Sequence, residues 1–298
     1  MSPSSPATTG AAPPPCSAAL IAAGVVRVVI GVRDPHKVAS GGLDALLAAG
    51  IEVAHGVELE AARDLAEVFL TTIEQGRAFA QVKLAMSLDG RTSAQDGSSR
   101  WVTGPEARRM VHGWRAQADA VLIGSGTALA DDPRLDLRDL PGAHSEPPPL
   151  RVVLDRRLRL PLDGHLGDTS RQATLLLCDR PEVAGSPKAD ALRRQGVDVA
   201  CIPPEDGRPW LHTVLRELRA RGICHVLCEG GATLAGALVR AGLCDRLDVL
   251  VAPKLLGAGA PLLTDLGVVG IGDALRFRFE APRQVGADVW LTARPVAG

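Results

Sequence analysis

His225-Val-Leu-Cys-Glu229-Gly-Gly-Ala-Thr-Leu-Ala-Gly-Ala-Leu-Val-Arg-Ala241 reads as a buried strand that turns on two glycines into a helix. His225 to Glu229 is apolar between its ends, and Thr233 to Ala241 carries the apolar pattern of a helix. The junction Glu229-Gly230-Gly231-Ala232-Thr233-Leu234 points free backbone N–H groups outward at the positive end of the helix dipole, which suits a pyrophosphate. Glycine admits close backbone approach there. A Gly-Gly between strand and helix is also a common tight turn, and this one lacks the three-glycine dinucleotide fingerprint.

The same alternation extends outward along the chain. It predicts strands Ala80 to Ser87, Ala120 to Gly124, Arg151 to Asp155, Thr174 to Cys178, Val197 to Ile202 and Arg246 to Ala252. Helices are expected over Pro105 to Gln117, Lys188 to Arg194 and Trp210 to Arg221, the first opened by its proline with Thr103 or Gly104 as cap. The fold class is therefore α/β: a mainly parallel sheet with helices on both faces, edged by an antiparallel hairpin of Arg276 to Phe279 with Val285 to Thr292. Ahead of it, helix Cys16 to Ala23, strand Val25 to Val32, helix Leu43 to Ala49, strand Ile51 to Ala54 and one long helix Leu59 to Glu74 make a smaller α/β unit. The expected domains are residues 16–76 and 77–298, after a disordered lead over residues 1–15. The Pro- and Gly-rich stretch Asp139 to Pro149 is expected to be a surface loop.

Composition narrows the function. With 33 basic and 34 acidic residues the net charge is −1, which gives no overall field for nucleic acid or an anionic membrane. The apolar stretch Ala18 to Val26 is too short to span a bilayer, and the first residues lack a secretory signal. Six scattered cysteines without a Cys-x-x-Cys pair fit a reducing cytoplasm. Tyrosine is absent, which excludes reductases that use a Tyr/Lys pair as proton donor. A second glycine cluster, Gly124-Ser125-Gly126-Thr127, reads as a turn at another strand end, followed by Asp131-Asp132-Pro133. Lys83, Arg91, Arg115, Arg134 and Arg138 lie near these strand ends, where arginines suit a phosphate monoester and are equally able to be solvated surface charges. Trp101, just before a helix, could stack on a flat ring or close a core.

Five ordered blocks carry a resemblance: Lys83-Leu-Ala-Met-Ser-Leu-Asp-Gly90, Gly97-Ser-Ser-Arg-Trp-Val-Thr103, Arg115-Ala-Gln-Ala-Asp-Ala120, Gly124-Ser-Gly-Thr-Ala-Leu-Ala-Asp-Asp-Pro-Arg-Leu135 and Glu229-Gly-Gly-Ala-Thr-Leu234. They resemble the reductase domain of the bifunctional deaminase-reductase family of riboflavin biosynthesis, over Ala80 to Thr292. The resemblance implies a dihydrofolate-reductase-like fold, NADPH as hydride donor and a homodimer or larger homo-oligomer. It implies cofactor contacts at Ala85, Trp101, Thr127, Asp131 and the turn Gly231, Ala232, Thr233, Leu234, Ala235, Gly236 and Ala237. Substrate contacts fall on Ser99, Arg115, Leu135, Arg138 and Glu229. Lys83 and Glu229 are the candidate catalytic residues, with the proton donor open among Lys83, Glu229 and water. The implied reaction is reduction of the ribosyl group of 5-amino-6-(5-phosphoribosylamino)uracil. A reductase acting on another pyrimidine or a pterin, and a binding or assembly protein without catalysis, are the alternatives.

The front unit resembles the later part of that family's cytidine-deaminase-like domain, from Cys16 onward. No His-x-Glu stands ahead of Cys16, and no cysteine occurs near Ala7, so zinc is not expected in it.

Overall fold

The computed structural model describes residues 16–35, 41–137 and 147–296. The chain divides into two compact units, Met1–Gln75 and Gly76–Gly298. In the first, helix α1 (Cys16–Ala22) leads to strand β1 (Arg27–Ile30), α2 (Gly42–Ala48) and β2 (Glu52–His55), and the two strands pair in parallel. Leu46 and Ile51 are buried there, whereas α1 buries none of its residues. The single helix expected over Leu59 to Glu74 is divided into α3 (Leu59–Leu65) and α4 (Glu67–Glu74). Ala66, at φ −97° and ψ 13°, makes the break, although i to i−4 hydrogen bonds continue on both sides of it. Nothing in the sequence at Ala66 accounts for this.

The second unit begins with β3 (Phe79–Ser87), α5 (Pro105–Gln117), β4 (Ala120–Gly124), α6 (Ser125–Asp131) and β5 (Leu150–Leu154). It continues with β6 (Thr174–Cys178), α7 (Pro181–Ala184), α8 (Pro187–Arg194), β7 (Asp198–Cys201), α9 (Trp210–Ala220), β8 (His225–Cys228), α10 (Ala232–Arg240) and β9 (Arg246–Ala252). Strands β10 (Phe277–Phe279), β11 (Arg283–Val285) and β12 (Asp288–Pro295) end it. One sheet runs in the order β10-β12-β9-β3-β8-β4-β5-β6-β7, parallel from β9 to β7 and antiparallel at β12 and β10. This is the expected α/β sheet with an antiparallel edge.

Strands β4 and β6 are apolar almost throughout because helices cover both faces. Successive side chains alternate between two cores. Ala120, Leu122, Val152, Leu175 and Leu177 face a core completed by α9 and α10, while Val121, Ile123, Val153 and Leu176 face one completed by α8. Leu227, Leu250 and Ala85 pack beneath α5 with Val111 and Trp114.

Two further expectations change. The cluster Gly124 to Thr127 is not an open turn: α6 runs from Ser125 to Asp131 and is followed by Asp132, which takes a left-handed φ of 39°. The strand expected over Val285 to Thr292 is two strands, β11 and β12, with Val285 opposite Asp288 across a turn that Gly286 permits at φ +61°. Thus β12 pairs on one side with β9 and on the other with both β10 and β11. Of the expected loop Asp139 to Pro149, residues 139–146 lie outside the described residues, as does the lead over residues 1–15.

Candidate active site

In open α/β sheets ligands gather beyond the carboxyl ends of the strands. Here β8 hands over to α10 through Glu229-Gly230-Gly231, with Gly231 as the N-cap residue. The Gly231 N–H donates to Thr127 Oγ1 at 3.2 Å, tying this turn to α6. A Cβ on Gly230 would stand 2.7 Å from Leu234 Cδ2, so glycine lets that leucine fold back over the turn. Further along α10, a Cβ on Gly236 would meet the Thr264 carbonyl oxygen at 2.3 Å. Helix packing, with the backbone of residue 264 against it, therefore accounts for Gly236.

A cleft of about 1150 Å³ opens above these strand ends. Of the residues expected to hold a cofactor, Thr127, Asp131, Gly231, Thr233, Leu234 and Ala237 line it, and Ser99 joins them. Ala235 and Gly236 are buried on the opposite side of α10. Ala232, the first residue of α10, is half-buried and is not part of the cleft wall. The Asp131 carbonyl accepts from Arg100 Nη2 at 3.0 Å, which brings the loop before α5 to the end of α6. Trp101 in that loop is 62% exposed, with the Arg108 guanidinium 4.6 Å from its ring centroid and Lys254 Nζ donating to its carbonyl at 2.7 Å. It therefore stands at the surface and closes no core.

The second group of expected residues meets beneath α5. Val82 is in register with Cys228, so Lys83 and Glu229 follow side by side on neighbouring strands. Arg115, from the last turn of α5, grips Glu229 with two bonds: Nε to Oε1, and Nη2 to Oε2 at 2.8 Å. Its Nη1 donates to the Asp136 carbonyl at 3.0 Å. Burial on its own raises the Glu229 carboxyl, but the Arg115 charge and hydrogen bonds, helped by Lys83 and His112, hold it below its ordinary value. Burial lowers the Lys83 ammonium; Glu229 opposes that shift and Arg115 adds to it. The site thus holds an ionised carboxylate beside an ammonium that gives up its proton more readily than an ordinary lysine.

Ala85 shares the face of Lys83, opposite Leu250. Below them, buried Asp248 accepts from Gln81 Nε2, Trp290 Nε1 and Thr292 Oγ1, each at 2.8 Å, and from Arg246 Nε at 3.0 Å. This polar floor fixes the strands on which Lys83 stands. Leu135 is 3% exposed at φ 53°, its side chain in the core and its carbonyl accepting from Gln172 Nε2 at 3.2 Å. As a substrate contact it has only backbone to offer. Arg138 lies outside the described residues. Arg91 donates from Nη1 to the Gly259 carbonyl at 3.3 Å, and Arg134 is exposed beside Leu135 in sequence.

Sequence reading missed His112, one helical turn before Arg115, and the arginines that follow β5, of which Arg156, Arg157 and Arg159 line the cleft. The run Asp155-Arg-Arg-Leu-Arg159 at a strand end was the available signal for the latter. Among the described residues, no group of three His, Cys, Asp or Glu side chains is placed to hold a metal ion, and Cys16 is exposed and free. The chain does contain a His-x-Glu, His144-Ser145-Glu146, far from Cys16 in sequence and outside the described residues.

The model of the RibD C-terminal domain matches residues 78–291, which takes in the whole cleft and the Lys83–Glu229–Arg115 group. The chain belongs to the RibD C-terminal domain family. The riboflavin biosynthesis protein RibD of Aquifex aeolicus is 36% identical over 277 residues, covering 93% of this chain and 74% of the relative. That of Escherichia coli is 39% identical over 289 residues, covering 93% of this chain and 77% of the relative. Among solved structures, Acinetobacter baumannii RibD superposes with a TM-score of 0.78 at 35% identity, covering 95% of this chain and 77% of that one. Both units of the RibD-family chain fall within that coverage.

Proposed function

We propose that this protein reduces the ribosyl group of 5-amino-6-(5-phosphoribosylamino)uracil to the ribitylamino product, with NADPH as the reductant. Membership in the RibD reductase family makes it an oxidoreductase of riboflavin biosynthesis. The observation that carries the specific reading is the juxtaposition at one end of the sheet: a cleft of dinucleotide size over the Gly231 turn, and the Lys83–Glu229–Arg115 group one strand away.

The cleft fits a dinucleotide on the chemistry of its walls. Backbone N–H groups of the Gly231 turn at the start of α10 suit a pyrophosphate, and Thr127 and Thr233 offer hydroxyls beside them. NADPH, when bound, supplies a hydride to the sugar carbon attached to nitrogen. The chain's part is positioning and proton supply. Lys83 provides the proton taken up by the sugar-bearing nitrogen, and desolvation makes it the better acid for that step. Glu229, held ionised by Arg115, keeps Lys83 charged until the proton moves and accepts hydrogen bonds from ribosyl hydroxyls. Ser99 at the cleft and Arg138 contribute to holding the sugar and its phosphate.

Mixing the purified protein with NADPH and the phosphoribosylamino-uracil should consume NADPH in step with ribitylamino product, read as loss of the reduced-cofactor absorbance. Absence of oxidation with this substrate, beside turnover of a pterin or another pyrimidine, would overturn the assignment. The front unit, with Cys16 as its sole thiol at the family's zinc position, is read as free of zinc-dependent deamination; stoichiometric zinc in the purified protein would contradict that. A cytoplasmic homodimer or larger homo-oligomer completes the reading. No described helix is long and apolar enough to cross a membrane.

A further inference from the structure

Strands β6 and β7 end side by side on a cysteine each. Cys178 closes β6 and Cys201 closes β7, and the two are direct partners in the parallel register. They follow Leu176 and Val199 by two residues, so both thiols point to the face of the sheet that carries those core residues, and α7 packs against both strands. Cys178 is fully buried, with the carbonyls of Ala200 and Arg180 each 3.7 Å from its Sγ, whereas Cys201 is half-buried. Burial, the Cys178 thiol in hydrogen-bonding contact, and the charges of Asp179 and Glu182 push the Cys201 thiol up. Among the described residues, no other two cysteines are strand partners.

Each thiol stands next to an anchor of the cleft wall. Asp179, directly after Cys178, pairs with Arg156, and the carbonyl of Ile202, directly after Cys201, accepts from Trp210 Nε1 at 2.7 Å. Arg156 and Trp210 both line the cleft, the guanidinium 5.6 Å from the ring centroid. Neighbouring strands lie about 4.8 Å apart, inside the Cα separation of roughly 4.4–6.8 Å that a disulfide spans but short of its commonest value of about 5.5–6 Å. A bond between these two sulfurs is therefore within reach with little backbone movement, and its off-centre geometry makes it easy to reduce again.

We propose that Cys178 and Cys201 are a reversible redox modification site, converted by a low-molecular-weight disulfide into a cross-strand disulfide that shifts the Arg156–Trp210 part of the cleft wall. Cys178 is closed to a reagent by burial, so Cys201 reacts first and Cys178 resolves the mixed disulfide. The Cys201 thiolate attacks one sulfur of the reagent, and the other sulfur leaves as a thiolate that takes up the Cys201 proton. The Cys178 sulfur then bonds to that of Cys201 and displaces the second reagent sulfur, which leaves with the Cys178 proton. Two protein thiols are oxidised and one small disulfide is reduced to two thiols. The dithiol is the resting form in a reducing compartment, and the raised Cys201 thiol keeps the exchange slow there. The site does not depend on which substrate the cleft reduces.

Incubating the folded protein with oxidised glutathione, followed by peptide mass mapping, tests the site. The parent should lose both thiols as one Cys178–Cys201 cross-link that dithiothreitol reverses, while exposed Cys16 keeps a bound glutathione. Cys178→Ala should instead trap glutathione on Cys201, and Cys201→Ser should leave Cys178 unmodified. Since the thiolate is the attacking species, the cross-linking rate should rise about tenfold per pH unit below the Cys201 pKa. The emission of Trp210, taken as the difference from Trp210→Phe, should change as the parent cross-links and stay constant in Cys201→Ser. A Cys201–glutathione adduct that persists in the parent beside a free Cys178, an unmodified Cys201 at every pH at which the protein stays folded, or a cross-link that leaves Trp210 emission unchanged would each overturn the inference. The map of the parent needs no substitution, so it decides the matter even where a Cys178 variant fails to fold.

Discussion

Two buried arginine–carboxylate forks hold opposite ends of the parallel strands. At the entry to β3, Arg77 grips Asp245 with two bonds of 2.7 Å, donates also to the Ala78 carbonyl at 3.0 Å, and Asp245 accepts from the Ala80 N–H at 2.8 Å. At the exit of β8, Arg115 grips Glu229 in the same two-pronged way. The side chains are similarly buried, 3% and 12% exposed in the first pair, 11% and 8% in the second. What differs is the company. The first fork closes on the backbone of β3 and joins β3 to β9, whereas the second stands beside Lys83 and sets the charge of that pair. One geometry thus serves as a clasp where backbone completes it and, in the proposed reaction, as part of the reacting centre where a third ion stands next to it.

Glu229→Gln should separate the two uses most sharply. The amide keeps much of the shape but not the charge, and kcat should fall by about 10²- to 10⁴-fold, the range for a group serving proton transfer. A drop below tenfold, with the loss appearing in stability, would make both forks clasps. The acid side carries a further signature. Because the Glu229 carboxyl is held below its ordinary 4.5, its contribution to stability is fully present above that value and is lost as pH falls through the depressed one. The glutamine variant should lack that acid limb in a denaturation series.

Asp245→Asn should show the opposite pattern. It leaves the buried Arg77 charge without its partner, at a cost of about 3–5 kcal/mol, read as a lower urea midpoint. Turnover per folded molecule should match the parent; a loss of kcat there would erase the distinction between the strand ends. The smallest effect is the alkaline limb of the parent's own rate. In the proposed reaction the proton must be on Lys83, so the rate should fall as pH rises through its pKa, which lies below the ordinary 10.5. Lys83→Arg should erase that limb together with the proton supply, since a guanidinium keeps its proton and delivers none. A limb that persists in the variant assigns it to another group.

Local pattern carried the sheet. The all-apolar runs at Ala120 to Gly124 and Thr174 to Cys178 could only be strands covered on both faces, and Pro105 marked the start of α5. Where the pattern failed, a local rule was overridden by context. Gly124-Ser-Gly-Thr has turn chemistry, yet it forms the first turn of α6, whose Thr127 accepts from the Gly231 N–H of a segment over a hundred residues away. The Val285 to Thr292 strand conceals a reversal because one glycine inside an alternating run is no signal of a turn until the first arm, β11, pairs back on the second, β12. The ordered blocks placed Thr127, Asp131 and the Gly231 turn around one cleft but could not tell that Ala235 and Gly236 face inward, because seven consecutive residues of a helix cannot all face one ligand.

The sequence by itself determined the α/β alternation and the glycine turn at the head of α10, because each is a matter of residue type at fixed spacing, while Lys83, Arg115 and Glu229 were named as candidates through the resemblance to a family. Tertiary structure alone decided that Arg115 spends its fork on Glu229, that Lys83 is desolvated beside them, and that Arg157 and Arg159 reach the cleft while Arg156 is neutralised by Asp179. Those outcomes depend on strand order. β8 sits between β3 and β4, and β5 beside β4, so residues far apart in the chain become neighbours only when the sheet closes, and only then do burial and opposing charge set what each side chain is free to do.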